Sequence, residues 1–332
     1  MKLRTIFLAA CICCGFTAGV GMAQGTAQGF EAEDGFYTLG TGGGPNTRVT
    51  RANTSNALLI NGAVYLFDVG DGVQTQFTKA GMILPQVRGI FISHHHIDHN
   101  ADLGPIMANR WAQSFFAPLP VFGPPGTVEM VDHLAKAYRS IELAPISVGG
   151  PPAPAMRETI VAEDLPAETD APVLIFEDEN IRVSTVTNTH YNYKEGSASD
   201  THSRAYSYRI EAAGRTILYT GDTGPSDNVL ALAQGADLLV SEVIDIEAVG
   251  YTLRTYAQVP EAIIGGVLEH LRLDHLTSQQ VGELAKAAGV KEIVLTHLVP
   301  GLDPAIERGD YDTGAKAVFD GKVTIANDLD RW

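Results

Sequence analysis

The chain has only three cysteines, and all of them, Cys11, Cys13 and Cys14, fall in an N-terminal segment that reads as a leader. Without that segment the protein has no thiol, which excludes disulfides and thiolate metal ligands. Basic residues are also scarce. Lys and Arg total 23 against 39 Asp and Glu, the net charge is −16, and no Lys/Arg-rich run occurs anywhere in the 332 residues. A surface this acidic repels a phosphate backbone, so nucleic acid is disfavoured and a small-molecule substrate is expected. There is no internal repeat with a period of about 20–50 residues and no low-complexity tract. Hydrophobic residues make up 45% of the chain, enough for a substantial core and against a disordered chain.

What is present begins with Lys2 and Arg4, an apolar stretch over Ile6–Val20, and Gly21-Met22-Ala23 before Gln24. This order predicts a signal peptide over 1–23, cleaved after Ala23, and a periplasmic or secreted mature protein. The apolar stretch is shorter than the roughly 20 residues of a bilayer span, so no transmembrane span is expected in the mature chain. Leu8-Ala9-Ala10-Cys11 resembles a lipoprotein box, but the apolar run ahead of it is very short, which favours cleavage near Ala23 over a lipid anchor at Cys11. Residues 24–332 are expected to form one domain, and a homodimer is compatible with it. The Pro/Gly/acid-rich stretch Gly149–Ala171 is the sole candidate for a boundary and reads as a long surface excursion.

Short β-branched runs alternate with amphipathic ones, the pattern of sheets covered by helices in an α/β fold. Strands are expected at Ala57–Asn61 and Ala63–Asp68, joined at Asn61-Gly62, and at Val87–Ser93. A second set follows at Val173–Phe176, Ile181–Val186, Ala205–Glu211, Arg215–Tyr219, Asp237–Glu242 and Glu292–Thr296. Helices are expected at Asp71–Gly81, Thr127–Leu143, Asp227–Gln234 and Ser278–Ala288. Both halves run strands first and helix later, a sign of pseudo-symmetry.

The segment that carries chemistry is Ser93-His94-His95-His96-Ile97-Asp98-His99-Asn100, directly after a predicted buried strand. Four histidines and an aspartate there can converge on one point, and imidazole nitrogen with carboxylate oxygen is the donor set that suits zinc when thiolate is absent. Three further strand ends carry a ligand-type residue: Thr189-His190, Thr220-Gly221-Asp222 and Thr296-His297. Ligands dispersed in sequence but gathered at strand termini are how a rigid scaffold assembles a metal site.

With these residues the chain resembles the metallo-β-lactamase superfamily, in particular its ribonuclease Z and arylsulfatase-like branch. The likeness runs from Leu39-Gly40-Thr41-Gly42-Gly43-Gly44 to His297, and the family's His-x-His-x-Asp-His motif falls on His94, His96, Asp98 and His99. The resemblance implies a four-layer αβ/βα sandwich with metals at one edge between the sheets. It implies two Zn²⁺, the first held by His94, His96 and His190 and the second by Asp98, His99 and His297, with Asp222 and a water bridging them. Mn²⁺ or Fe²⁺ would be held by the same ligands. Asp68 matches the family's aspartate that orients the histidine loop. A shared hydroxide between the ions would attack an ester-type bond, with Asp98 steering its proton.

By the same resemblance, His275 and Glu242 match approximately the motifs associated with proton transfer, although Ser241 stands where the family usually has histidine. His95, His133, His202 and His270 are expected to be ordinary core or surface histidines. A phosphodiester or sulfate ester is the favoured substrate. Full ribonuclease Z activity is disfavoured by export, by acidity, and by the mere 32 positions between His190 and Asp222, too few for the family's tRNA-binding arm. A β-lactamase or lactonase is the alternative on the same fold, although the well-known β-lactamases lack the bridging aspartate. A non-catalytic metal-binding protein is the alternative of another class.

Overall fold

A computed structural model describes residues 32–146, 152–169, 171–300 and 309–332. The expected leader, its cleavage position and Cys11 lie outside the described residues.

In chain order the strands are β1 (Gly35–Gly40), β2 (Ser55–Ile60), β3 (Ala63–Val69), β4 (Val87–Phe91), β5 (Leu119–Gly123), β6 (Ile160–Asp164), β7 (Val173–Glu177), β8 (Ile181–Thr187), β9 (Tyr206–Ala212), β10 (Arg215–Tyr219), β11 (Leu238–Ile244), β12 (Glu292–Val299), β13 (Lys322–Ile325) and β14 (Asp330–Arg331). They form two sheets, ordered β14-β1-β2-β3-β4-β5-β6 and β13-β12-β11-β10-β9-β8-β7. Each half starts antiparallel, through β1-β2-β3 and β7-β8-β9-β10, and ends parallel, through β3 to β6 and β10 to β13. The pseudo-symmetry read from the sequence is therefore a repeat of topology.

The layers follow from side-chain alternation along strands that are apolar on both faces. In β4, Ile90 packs outward with Leu103, Ile106 and Met107 of helix Leu103–Ala112, whereas Phe91 points between the sheets. In β10, Ile217 and Tyr219 join the core between the sheets, and Leu218 packs outward with Val229, Leu232, Val281 and Ala285 of helices Asp227–Ala233 and Ser278–Ala288. The inner core is aromatic: Phe91 stacks between Phe67 and Phe122 at centroid distances of 4.9 and 5.4 Å, and Tyr208 meets it edge-on. The result is the expected αβ/βα sandwich.

Several expectations need correction. The helix expected over Thr127–Leu143 is broken into Thr127–Ala137 and Arg139–Glu142 at Tyr138, whose ring lies against Gly104 of the neighbouring helix. Gly149–Ala171 is no plain loop, since Ile160–Asp164 pairs with β5 and Asp164 accepts the N–H groups of Gly126 and Val128 at the start of helix Thr127–Ala137. Most of Val249–Leu271, outside the expected helices, lies within helices Ile246–Thr255 and Glu261–Asp274. Arg110 lies inside helix Leu103–Ala112 and is buried, with its guanidinium on the carbonyls of Leu84 and Ala117.

Candidate metal centre

Two irregularities in the sheets create the centre. Ser55 pairs with Val69 and Asn56 with Phe67, which leaves Asp68 as an extra residue bulged from β3. In the second sheet Glu242 pairs with Thr296 and Val243 with Leu298, which leaves His297 bulged from β12. Both have positive φ, 60° and 43°, a conformation that costs a non-glycine residue about 1–3 kcal/mol and is tolerated where surrounding contacts over-determine it. The bulges turn both side chains toward the edge where the sheets meet.

Asp68 is fully buried. Its Oδ1 accepts the Ser93 N–H at 2.6 Å, and its Oδ2 accepts from Ser93 Oγ at 2.7 Å, His99 Nδ1 at 2.7 Å and Tyr219 OH at 2.6 Å. His99 therefore carries its proton on Nδ1 and presents an Nε2 lone pair inward. Ser93 Oγ, having donated its hydrogen to Asp68, accepts from His94 Nδ1 at 3.0 Å, which frees His94 Nε2 as well. His190 Nδ1 donates to the Asp274 carbonyl at 3.0 Å, with the same consequence for its Nε2.

These lone pairs face one another and face carboxylates. His94 Nε2 and His190 Nε2 lie 3.0 and 3.2 Å from His96 Nδ1. His99 Nε2 lies 3.4 Å from Asp98 Oδ2 and 3.5 Å from Asp222 Oδ1, and His297 Nε2 lies 3.3 Å from Asp98 Oδ2 and 3.2 Å from Asp222 Oδ2. One cluster joins His94, His96, His190 and Asp222, and another joins Asp98, His99 and His297, with each cluster's ligand atoms within 4.8 Å of one another. His99 Nε2 and Asp222 Oδ1 are buried without hydrogen-bond partners. Acceptors packed against acceptors in a buried site need a cation, and nitrogen and oxygen donors of this kind fit a divalent one.

The electrostatics carry the same demand. Burial, then the neighbouring His99 and His190, hold His94 well below the ordinary histidine range, and burial, partly offset by Asp222, lowers His190 to about 3. His99 is driven the other way because the Asp222, Asp98 and Asp68 carboxylates outweigh its burial, so that a proton on Nε2 supplies the positive charge there when no metal ion takes the lone pair. Asp98 and Asp222 are held far below the usual carboxylate range by the surrounding histidines, against their own burial.

Close approach of backbone completes the frame. Gly44 N–H donates to Asp98 Oδ2 at 2.8 Å, and a Cβ on Gly44 would lie 2.1 Å from Asp98 Cγ. Gly221, at φ 57°, would put a Cβ 2.8 Å from Ser93 Cβ, so only glycine delivers Asp222 against the histidine loop.

A model of the beta-lactamase superfamily domain matches residues 65–298, from β3 through nearly all of β12. The chain belongs to the metallo-β-lactamase superfamily. It is 30% identical over 299 residues to ribonuclease Z of Mycolicibacterium gilvum, covering 88% of this chain and 93% of that protein. It is 29% identical over 302 residues to ribonuclease Z of Mycobacterium bovis, at 88% and 95%. Solved structures of similar fold include the metallo-beta-lactamase fold protein YhfI from Bacillus subtilis (TM-score 0.61, 21% identity, 90% of this chain and 98% of that one) and the short form of human tRNase Z (0.59, 23%, 89% and 97%). As a superfamily member, the protein is a metal-dependent hydrolase, and its His/Asp cluster is a divalent-metal site.

Beside the metallo-β-lactamase cluster lies a buried acid–base pair. His275 Nδ1 is 2.7 Å from Glu242 Oε2, while Glu242 Oε1 accepts the Thr223 N–H at 2.7 Å. Burial works against charge on His275, but the Glu242 carboxylate outweighs it and raises the imidazole to about 9. The His275 ring lies 5.0 Å from that of His190 and 6.1 Å from that of His297. The other histidines stand apart: His95 faces Thr127 and Asn100, His270 pairs with Asp274, and His202 caps its own short helix.

Ser93 and Tyr219 were not singled out as site residues, although one precedes the histidine run and the other precedes Thr220-Gly221-Asp222. Their role is visible only through Asp68. Replacing Asp68 with asparagine puts an N–H₂ against the Ser93 N–H in one orientation of the amide and against the Ser93, His99 and Tyr219 side-chain donors in the other. The expected result is a 10–100-fold loss of metal affinity, measured by competition with a chromogenic chelator; unchanged affinity would exclude this orienting role.

Proposed function

We propose that the protein is a phosphodiesterase using two divalent ions, zinc foremost. His94, His96 and His190 hold the first, Asp98, His99 and His297 the second, and Asp222 is shared. The observation carrying this reading is the position of Asp222, whose oxygens lie within 4 Å of His94, His99, His190 and His297 nitrogens at once. Two such ions, when bound, would supply Lewis acidity and would make water nucleophilic near neutral pH. Asp98, fixed by the Gly44 N–H, orients the attacking water. His275, its Nδ1 proton held by Glu242, delivers a proton to the leaving oxygen.

The relatives named ribonuclease Z favour a phosphodiester over a sulfate ester, a lactone or a β-lactam. They also weigh against a reading that disfavours nucleic acid. Against long RNA stand the net charge of −16 and the short connection from His190 to Asp222, which holds the five-residue helix Ala198–His202, β9 and β10. Among the described residues no helix is long and apolar enough to cross a membrane. We therefore favour small phosphodiesters. A panel of phosphodiesters, aryl sulfates, lactones and β-lactams on the purified zinc form tests this; faster turnover of any non-phosphate class would overturn it.

We also propose that residues 1–23 are removed on export and that 24–332 act as one domain. An intact Met1, or a lipid on Cys11, in the mass of protein recovered from periplasm or medium would overturn the export reading.

A further inference from the structure

Tyr191 and Tyr193 follow His190 on the segment leaving β8. The Tyr191 ring packs against His190, His96 and His94, with centroids 4.9, 5.3 and 5.8 Å away. Tyr193 stacks on Tyr191 at 5.3 Å with the planes 19° apart. The aromatic series thus runs outward from the metal ligands, and Tyr193 at its end is 38% exposed. Both tyrosines line a cavity of about 370 Å³ together with Glu168, Asn188, Asp200, Thr201 and Arg204. That volume lies in the range of small-ligand pockets.

The chemistry of the walls selects the occupant. A second phosphate fits poorly, because Asp200 brings a carboxylate and the Arg204 guanidinium is already committed, to the carbonyls of Ala167, Asp200 and Ser203 and to the Glu168 carboxylate at 3.6 Å. A neutral planar ring fits well: it extends the tyrosine stack and can offer N–H groups to the acidic wall. Direction follows from the neighbours. Tyr191 reaches His94, His96 and His190, the first metal group, whereas His275 reaches His190 and His297. Tyr191 and His275 thus flank His190, one toward His94 and His96 and the other toward His297, which assigns the cavity to the ester that stays on the phosphorus.

We propose that this cavity binds a planar aromatic ring, a nucleobase in preference to a simple aryl group, on the non-leaving side of the substrate diester, stacked on Tyr193. This rests on the phosphodiesterase reading above. Stacking of a base on an exposed aromatic side chain amounts to about fivefold or more in affinity.

The test compares thymidine 5′-(p-nitrophenyl) phosphate, phenyl p-nitrophenyl phosphate and methyl p-nitrophenyl phosphate on the zinc enzyme. All three share the scissile bond and leaving group. The expected result is a kcat/KM at least about fivefold higher for the thymidine ester than for the methyl ester, arising in KM, with the phenyl ester between. Tyr193→Ala should bring that ratio toward one, and Tyr193→Phe should retain it. Calorimetry should give the same order for the affinities of thymidine monophosphate and methyl phosphate. A smaller ratio in the wild type, or a ratio that survives in Tyr193→Ala, would overturn the ring site while leaving the phosphodiesterase reading intact. No turnover of any of the three, with turnover of another ester class, would overturn both.

Discussion

Asp222→Ala is expected to empty the metal centre and abolish turnover in the same step. Among the described residues, Asp222 is the carboxylate whose oxygens approach histidines of both clusters, 3.5 Å from His99, 3.2 Å from His297 and 3.8 Å from His94. Losing a group that merely supports a ligand costs about 10–100-fold in metal affinity, and losing the shared ligand should cost more. The fold should survive, because the three large apolar clusters that hold the layers together contain none of the seven proposed ligands. Circular dichroism unchanged from the wild type, with metal content and phosphodiester turnover both lost, is the expected outcome. A variant that keeps its full metal complement would show that the two groups do not depend on a common carboxylate.

His275→Ala should separate proton transfer from metal binding. His275 is not among the proposed ligands, and its Nδ1 is committed to Glu242 at 2.7 Å. The variant should therefore retain its metals and its fold. For substrates with poor leaving groups the rate should fall by about 10²–10⁴, the usual contribution of a positioned general acid. Nitrophenolate leaves with little protonic help, so the loss on a nitrophenyl diester should be much smaller. An equal loss on both substrates would make His275 a positioning residue, and loss of metal would place it inside the coordination sphere. Glu242, buried under Thr223 and His275, should follow His275 in this contrast.

The ligand set was legible because each member sits at or just beyond a strand end, where periodicity reveals the strand and the next polar residue stands out: His94 after β4, His190 after β8 and Asp222 after β10. His297 was legible by residue type, but its bulge within β12 was not, since the extra residue shows only against the register of the partner strand. Asp68 was legible only through the family resemblance, since an aspartate two residues before Gly70 is also what opens a turn. What its carboxylate does depends on Ser93, His99 and Tyr219, residues 25, 31 and 151 positions away. Helix Leu103–Ala112 escaped notice because Gly104 and Pro105 punctuate its first turn, where proline is in fact tolerated. Helix Glu261–Asp274 was obscured by Gly265-Gly266. Strand β5 carries Pro120, which masks a strand signal. The tyrosine-lined cavity is assembled from three segments of chain, and no local pattern announces it.

The central claim is that these seven residues hold two ions and not one. Elemental analysis of the protein purified under zinc-replete conditions, referenced to amino-acid concentration, measures this directly. The account predicts two divalent ions per chain. A single tightly bound ion with full phosphodiester turnover would contradict it.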